Sequence, residues 1–332
     1  MARKCHKCSQ PAVINMRQHK LALCKNHFPQ WIIEQTERFI KKYRMFSHDN
    51  RVLVAVSGGK DSLALWDVLL QLGYEADGLY LGLAIDEGVG YSDISRERVE
   101  AFAASHPRAR LHILDIEQVY GEGVPSMARR TRRGRGKPCS VCGLVKRHEM
   151  NRIAHEMGYN VLATGHNLDD EVAVLFQNTL NWQVNYLARQ NPVLPGGNGF
   201  VRKVKPFFRF YERETATYAI VRGIEYIYDE CPFSEGATTI FYKELLNRLE
   251  ANKPGTKLQF YLSFLRARDK EGLLAGHEEA PLTLHPCENC GQPTTAPGLC
   301  AFCRLLPEDV RSQPPAALQP ITLQFSPPAP GT

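Results

Sequence analysis

The sequence predicts an α/β fold: a parallel sheet with helices on both faces, flanked by a small cysteine-rich metal module at each end. Three observations predict it. Short apolar runs alternate with helical runs through the middle of the chain. One of them, Val52 to Val56, runs straight into Ser57-Gly58-Gly59-Lys60-Asp61-Ser62 and then into an amphipathic stretch, Leu63 to Leu72. Paired cysteines stand near both ends. Strands that alternate with helices demand right-handed crossovers, and so a parallel sheet. Ligands of such sheets bind beyond the carboxyl ends of the strands.

The totals fit this class. At 332 residues, with 43% hydrophobic and 23% charged residues, the chain has the balance of a soluble globular protein. Its length suggests about two domains. No apolar run reaches the roughly 20 residues of a bilayer span, and the start, Met1 to Cys8, has no apolar signal core. A cytoplasmic protein without membrane contact is expected. A net charge of +6 does not by itself point to nucleic acid. The ten cysteines fall into three groups with none left over. In a reducing cytoplasm, disulfides are not expected of them.

The first group is Cys5-x2-Cys8 with Cys24-x2-His27. Two pairs of N/S donors so spaced suit a tetrahedral structural zinc, with His6 and His19 as spare donors. Trp31 to Phe46 carries apolar residues near a 3.6 period and reads as a helix. It leads into the strand before the glycine turn. There the glycines allow close backbone approach to an anion, and the helix start offers free N–H groups and a positive dipole end. Lys60 adds a point charge, and Ser57 and Ser62 add hydroxyl donors. The glycine pair is too short for the G-x-x-x-x-G-K-[ST] wrap.

Ala76 to Ile85 reads as the next strand, closed by Asp86-Glu87-Gly88. A polar helix, Ser92 to Ser105, and a strand, Arg110 to Ile116, follow. Gly121 to Pro138 holds Arg129, Arg130, Arg132, Arg133, Arg135 and Lys137. It is expected to be a mobile arm that contacts nucleic-acid phosphates. The second cysteine group opens beyond it with Cys139-x2-Cys142 at the start of a helix, a setting that favours thiolate. Its third member is Cys231, just past a short strand, Glu225 to Tyr228. Three cysteines on two segments suit an iron–sulfur cluster with one open iron, a catalytic disulfide pair with a spare thiol, or a third zinc.

Val161 to Thr164 is a further strand, and it enters Gly165-His166-Asn167-Leu168-Asp169-Asp170-Glu171 and a helix. The two aspartates face the same rim as the glycine turn. There they are placed to bind the magnesium of a nucleotide or to position a reacting group, though Asp169 also suits an N-cap and Asp170 a helix first turn. Asn185 to Pro206, rich in proline and glycine and basic at Arg189, Arg202, Lys203 and Lys205, reads as a loop over the site. Helices are expected over about 211–222, 239–250 and 256–268. Past a linker, Gly272 to Thr283, Cys287-x2-Cys290 and Cys300-x2-Cys303 make a second zinc knuckle. From Pro307 the chain is proline-rich and, after Arg311, uncharged, so a disordered tail is expected.

Ser57 to Ser62 after a strand resembles the PP-loop of the ATP pyrophosphatases. Taken with Pro138-Cys139-Ser140-Val141-Cys142-Gly143, Gly165 to Glu171, the lone Cys231 and a knuckle at each end, residues 1 to about 305 resemble the PP-loop tRNA 2-thiolation enzymes of the TtcA/TtuA family. The terminal knuckles favour its 2-thiouridine (TtuA) branch over the cytidine branch. The resemblance implies a Rossmann-like PP-loop domain and an adenylating enzyme that cleaves ATP to AMP and pyrophosphate. It implies adenine near Ala55 and Ile85, phosphates on Ser57, Gly58, Gly59, Lys60, Asp61 and Ser62, and ribose near Gly165. It implies a [4Fe–4S] cluster on Cys139, Cys142 and Cys231, with catalytic roles for these cysteines, Lys146 and Asp170. Lys146 also reads from its helix as placed to neutralise phosphate charge. Two structural zinc ions, magnesium, a tRNA substrate, a ubiquitin-like sulfur carrier ending in a thiocarboxylate, and a homodimer are implied as well. The substrate implied is the T-loop uridine, giving 5-methyl-2-thiouridine, with a wobble uridine or a cytidine as alternatives. A PP-loop amide-forming ligase and a non-catalytic zinc RNA-binding protein are the competing classes. The expected layout is a zinc finger over 1–30, the catalytic domain over 31–271, a second zinc finger over 284–306 and the tail over 307–332.

Overall fold

Side-chain alternation at period two builds the centre of the molecule. The chain, seen in a computed structural model, is described over residues 3–86, 88, 90–234, 236, 238–275, 283–311 and 319–325. In order, a hairpin of β1 (Ile14–Met16) and β2 (Leu21–Leu23) leads into α1 (His27–Lys42). Then come β3 (Val52–Ala55), α2 (Lys60–Gln71), β4 (Ala76–Gly82), α3 (Tyr91–Ala104) and β5 (Arg110–Asp115). Three helices follow, α4 (Ile116–Tyr120), α5 (Val124–Arg130) and α6 (Pro138–Glu156). Next are β6 (Val161–Thr164), α7 (Leu168–Leu180), α8 (Val184–Arg189), β7 (Val193–Leu194) and β8 (Arg202–Val204). Helices α9 (Glu212–Arg222), α10 (Thr238–Asn252) and α11 (Thr256–Lys270) precede the short pair β9 (His285–Pro286) and β10 (Pro293–Thr294). The described chain ends with α12 (Glu308–Arg311) and β11 (Ile321–Gln324).

The main sheet has the order β11-β5-β4-β3-β6-β8-β7. Neighbours from β5 to β8 pair parallel, while β11 and β7 join the edges antiparallel. The sheet is therefore mixed, where the sequence predicted a parallel one. β3 sends Val52 and Val54 into one buried cluster and Leu53 into the other. β6 does the same with Val161 and Ala163 against Leu162. Cys5 and Cys24 belong to the first cluster, and Cys287, Cys300 and Cys303 to the second. Each cysteine module thus packs on its own face of the sheet.

Helix α2 is fixed to that sheet by Trp66. A Cβ on Gly78 would lie 2.5 Å from its ring, so glycine is what lets the indole lie flat on β4. The indole N–H donates to the Ala76 carbonyl at 2.9 Å. Full burial of such a side chain is worth about 1.5–3 kcal/mol.

Four expectations differ from the structure. Much of the basic arm is helix α5, which buries Val124, Pro125, Met127 and Ala128. That apolar stripe repays ordering, which the arginine count concealed. The stretch expected as a loop over the site forms α8, the edge strand β7 and its neighbour β8. Glu225 to Tyr228 forms no strand; it is extended chain held to the glycine turn by Ile227 N–H to the Gly58 carbonyl, 2.9 Å. The expected disordered tail supplies β11, whose backbone bonds satisfy the outer edge of β5. Residues 312–318 and 326–332 of that tail, and 276–282 of the linker, lie outside the described residues. Among the described residues, no helix is long and apolar enough to cross a membrane.

Candidate active site and metal centres

The carboxyl end of β3 turns through Gly58, at φ +77°, into α2. Ser62 organises the turn: its hydroxyl accepts from the Ser57 N–H at 3.1 Å and donates to the Gly59 carbonyl at 3.0 Å. The cap residue Gly59 has no side chain to bond the helix start, so the first N–H groups of α2 face outward from the rim. Gly165 backs the turn. A Cβ there would meet Asp61 and Ser62 backbone at 2.8 Å, so the end of β6 and the start of α2 touch main chain to main chain.

A chain of charges crosses the rim. Lys60 Nζ lies 3.1 Å from Asp61 and 2.8 Å from Glu212. Lys243 Nζ lies 3.2 Å from the other Glu212 oxygen and 2.6 Å from Asp170. Burial opposes the charge on Lys60, but Asp61 and Glu212 outweigh it, and its pKa is raised. Burial pushes the Asp61 carboxyl up against the pull of Lys60, although its Oδ1 accepts from Asn167 at 3.1 Å and from the Thr215 hydroxyl. Glu212 is held below its usual range: burial works against this, and Lys243 and Lys60 prevail. Sequence reading missed Glu212, Thr215 and Lys243. They follow Asp61 by some 150 residues or more, and no local spacing marks them.

The two aspartates after β6 have separate jobs. Asn167 is the N-cap of α7, in a reciprocal capping box with Asp170. Asp170 Oδ2 accepts the Asn167 N–H at 3.1 Å and leaves Oδ1 on Lys243, facing the rim. Asp169 is buried, ion-paired to Lys257, and accepts the Glu212 N–H at 2.9 Å. It is a brace for α9, and neither aspartate is the N-cap.

Beside the glycine turn lies a cavity of about 110 Å³, lined by Ala55, Ser57, Ile85, Tyr91, Lys146 and Cys231 among others. Two of the expected adenine-side residues thus meet the first phosphate-loop residue, Lys146 and one cysteine of the central group. Cys139 and Cys142 stand in the first turns of α6, and the Cys139 thiol donates to the Phe233 carbonyl at 3.2 Å. Burial pushes the Cys231 thiol up; the charges of Cys142 and Cys139 act in the same direction, and Lys146 opposes them. All three cysteines and Lys146 therefore share one electrostatic neighbourhood. Among the described residues, the three are not one of the sets whose donor atoms all lie within 4.8 Å of one another.

The terminal groups do converge. The donor atoms of Cys5, Cys8, Cys24 and His27 all lie within 4.8 Å of one another. Cys8 and Cys24 sulfurs are 3.6 Å apart, and His27 Nδ1 lies 3.3 Å from Cys24 and 3.6 Å from Cys5. Zn–S bonds of about 2.3 Å in a tetrahedron give edges of about 3.8 Å, so the donor set fits zinc. At the other end the converging atoms belong to His148, Cys290, Cys300 and Cys303. Cys287, expected in that set, lies beside it, its sulfur accepting the Cys300 N–H at 3.2 Å.

A basic field lies near α6. Arg132, Arg133, Arg135 and Lys137 are exposed, whereas Arg130 is tied to Glu122 and to the Leu305 carbonyl. Burial, with Lys205 and Arg147 beside it, pushes the Lys203 amine down to about 8. Changing Arg132, Arg133, Arg135 and Lys137 to Ala is expected to weaken RNA binding and to flatten its log–log salt slope by about one unit for each phosphate no longer neutralised. ATP binding is expected to be unchanged. An unchanged slope in a salt titration would make this segment a bystander.

A glycine turn, an outward-facing helix start and a rim lysine at the carboxyl end of a parallel strand define a PP-loop nucleotide-binding enzyme of the HUP class. The comparisons agree. Residues 4–29 match the 2-thiouridine synthetase TtuA N-terminal LIM domain, and residues 50–183 match the tRNA methyl transferase HUP domain. The chain is 48% identical to the tRNA-5-methyluridine(54) 2-sulfurtransferase of Thermus thermophilus, over 97% of each chain. It is 42% identical to the enzyme of that name from Thermotoga maritima, over 91% of this chain and 95% of that one. Among solved structures, the U34-tRNA thiolase NcsA of Methanococcus maripaludis, with its [4Fe–4S] cluster, superposes at a TM-score of 0.74. That match spans 92% of this chain and 96% of the other at 23% identity, and it speaks for the fold. The chain belongs to the tRNA-5-methyluridine(54) 2-sulfurtransferase family.

Proposed function

We propose that the protein is an ATP-dependent tRNA 2-thiouridine synthetase acting on the T-loop uridine. The observation that supports this reading is the cavity lined in common by Ser57, Lys146 and Cys231. Ala55 and Ile85 flank the adenine, and the ribose lies toward Gly165. Ser57, Gly58, Gly59, Asp61 and Ser62 take the phosphates, and Lys60 exchanges its Glu212 partner for them. Asp170, with Lys243 beside it, holds the magnesium-bound pyrophosphate end. The uridine C2 oxygen attacks the α-phosphorus and pyrophosphate leaves. Sulfide then adds at C2, and AMP departs with the former carbonyl oxygen, leaving C2=S. Lys146 steadies the charge of the adenylate. Cys139, Cys142 and Cys231 would hold a [4Fe–4S] cluster, which supplies an iron with an open position for sulfide.

Two zinc ions would hold the terminal modules, and the layout 1–30, 31–271 and 284–306 follows from that. A ubiquitin-like sulfur carrier and a homodimer rest on the family resemblance.

The test is thiolation of a tRNA bearing 5-methyluridine in its T-loop, with anaerobically reconstituted protein, ATP and sulfide. AMP and pyrophosphate are expected in step with 2-thiolation. A wobble-uridine substitution is expected to change nothing, and loss of the T-loop uridine to stop turnover. Nitrogen incorporation in place of sulfur would favour the amide-ligase class.

A further inference from the structure

Three carboxylates and two ammonium groups form the chain of charges on the rim: Asp61, Glu212 and Asp170 against Lys60 and Lys243. The carboxylates outnumber the lysines. A polyanion that enters this set meets repulsion unless one carboxylate gives way.

Two of the three are fixed by uncharged partners. Asp61 Oδ1 accepts from the Asn167 amide at 3.1 Å and from the Thr215 hydroxyl. Asp170 Oδ2 accepts the Asn167 N–H at 3.1 Å. Glu212 differs. Among the described residues its carboxylate is held by the two lysines alone, Oε1 by Lys60 Nζ at 2.8 Å and Oε2 by Lys243 Nζ at 3.2 Å. Its side chain is also the most exposed of the three, 38% against 24% for Asp61 and 29% for Asp170.

The Glu212 main chain is anchored separately. Glu212 is the first residue of α9, its N–H donates to the buried Asp169 at 2.9 Å, and its carbonyl accepts the Thr215 hydroxyl at 2.9 Å. The side chain can therefore swing without moving the helix. It lines a cavity of about 450 Å³ together with Arg17 and Arg213, which offers room and opposite charge. Carboxylate and phosphate oxygens accept the same charge-assisted bonds from an ammonium group. Glu212 thus occupies both lysines as one phosphate group would.

We propose that Glu212 is a displaceable internal anion, which yields Lys60 and Lys243 to the β,γ-phosphates of ATP and competes with the pyrophosphate product for the same two ammonium groups. Lys243 is thereby a pyrophosphate-binding residue. The exchange makes and breaks ion pairs only. Because the carboxylate is tethered, it competes at a high effective concentration and hastens pyrophosphate release. This proposal rests on the ATP-cleaving reading above and adds the means by which that site empties.

The test is calorimetric titration of the full chain with sodium pyrophosphate, AMP and ATP at fixed magnesium. Glu212→Gln keeps the size of the side chain and removes its charge. It is expected to bind pyrophosphate about tenfold tighter and AMP within about twofold of wild type. Lys243→Met is expected to bind pyrophosphate about tenfold more weakly, again with AMP unchanged. In the double variant the gain from Glu212→Gln should shrink, since one of the two contested ammonium groups is gone. A purely structural Glu212 would shift AMP and pyrophosphate alike, and that result would overturn the proposal. So would unchanged or weaker pyrophosphate binding in Glu212→Gln. Should that variant fail to fold, unchanged pyrophosphate binding in Lys243→Met overturns it as well. Wild type that binds ATP while these variants fail sinks this proposal alone. Wild type that binds no ATP sinks it together with the reading beneath it.

Discussion

Replacing Cys139, Cys142 and Cys231 together by serine is expected to abolish sulfur transfer and to leave ATP binding within about twofold of wild type, about 0.4 kcal/mol. The expectation follows from where the thiols sit. Cys139 is exposed, and Cys142 and Cys231 are half-buried, so the near-isosteric change opens no large void. The nucleotide cradle is made of Ser57 to Ser62 and the strand ends, and its bonds involve none of the three cysteines. Serine keeps the shape and removes the soft thiolate donors that iron needs. Calorimetry with ATP and thiolation of tRNA under anaerobic conditions separate the two effects. In the unmodified protein, reconstitution with iron and sulfide is expected to restore activity lost in air. Full turnover of iron-free protein would remove the cluster from the account and leave the disulfide alternative. Persistent activity in the triple variant would turn attention to the amide-ligase class.

The second large effect falls on Gly58→Ala. A Cβ there would lie 2.5 Å from the Ser95 carbonyl oxygen and 2.9 Å from its Cα, at a residue with φ +77°. Both atoms are main chain of α3, so neither yields as a flexible tip would. The left-handed conformation adds about 1–2 kcal/mol of its own. Relief comes only by moving the turn, which carries the N–H groups out of line with the phosphates. ATP affinity is expected to fall at least about tenfold, or about 1.4 kcal/mol. Gly73→Ala is the control: φ is +78° and nothing lies within 4 Å, so strain is added far from the rim. That variant should lose stability and bind ATP normally. Equal ATP affinities for Gly58→Ala and wild type would contradict the phosphate cradle.

Much of this was legible in the sequence because it is local. Val161 to Thr164 begins and ends where its apolar run does, and the glycine turn lies between the strand and helix that its pattern implied. The N-terminal donors converge as their spacing suggested, because two pairs with little chain between them have few other arrangements. Illegible parts depend on distant partners. β7 and β8 are two and three residues long, too short for any period, and exist because β6 offers an edge. β11 is four residues that alternate weakly, and β5 gives them a partner from far along the chain. The helix α5 was hidden because the run of arginines from Arg129 to Arg135 drew the reading away from its short apolar stripe. His148 meets Cys290 across 142 residues of sequence, a neighbour that no local spacing marks. Lys243 and Glu212 are ordinary helix residues until α9 and α10 bring them to Lys60 and Asp170.

The most direct measurement is mass spectrometry of nucleosides from the tRNA of a strain that lacks this gene. The account predicts loss of 5-methyl-2-thiouridine, its replacement by 5-methyluridine, and rescue by the wild-type gene but not by the Asp170→Ala form. Loss of a wobble 2-thiouridine instead would keep the chemistry and overturn the T-loop assignment. Survival of every thiolated nucleoside would contradict the thiolase reading itself.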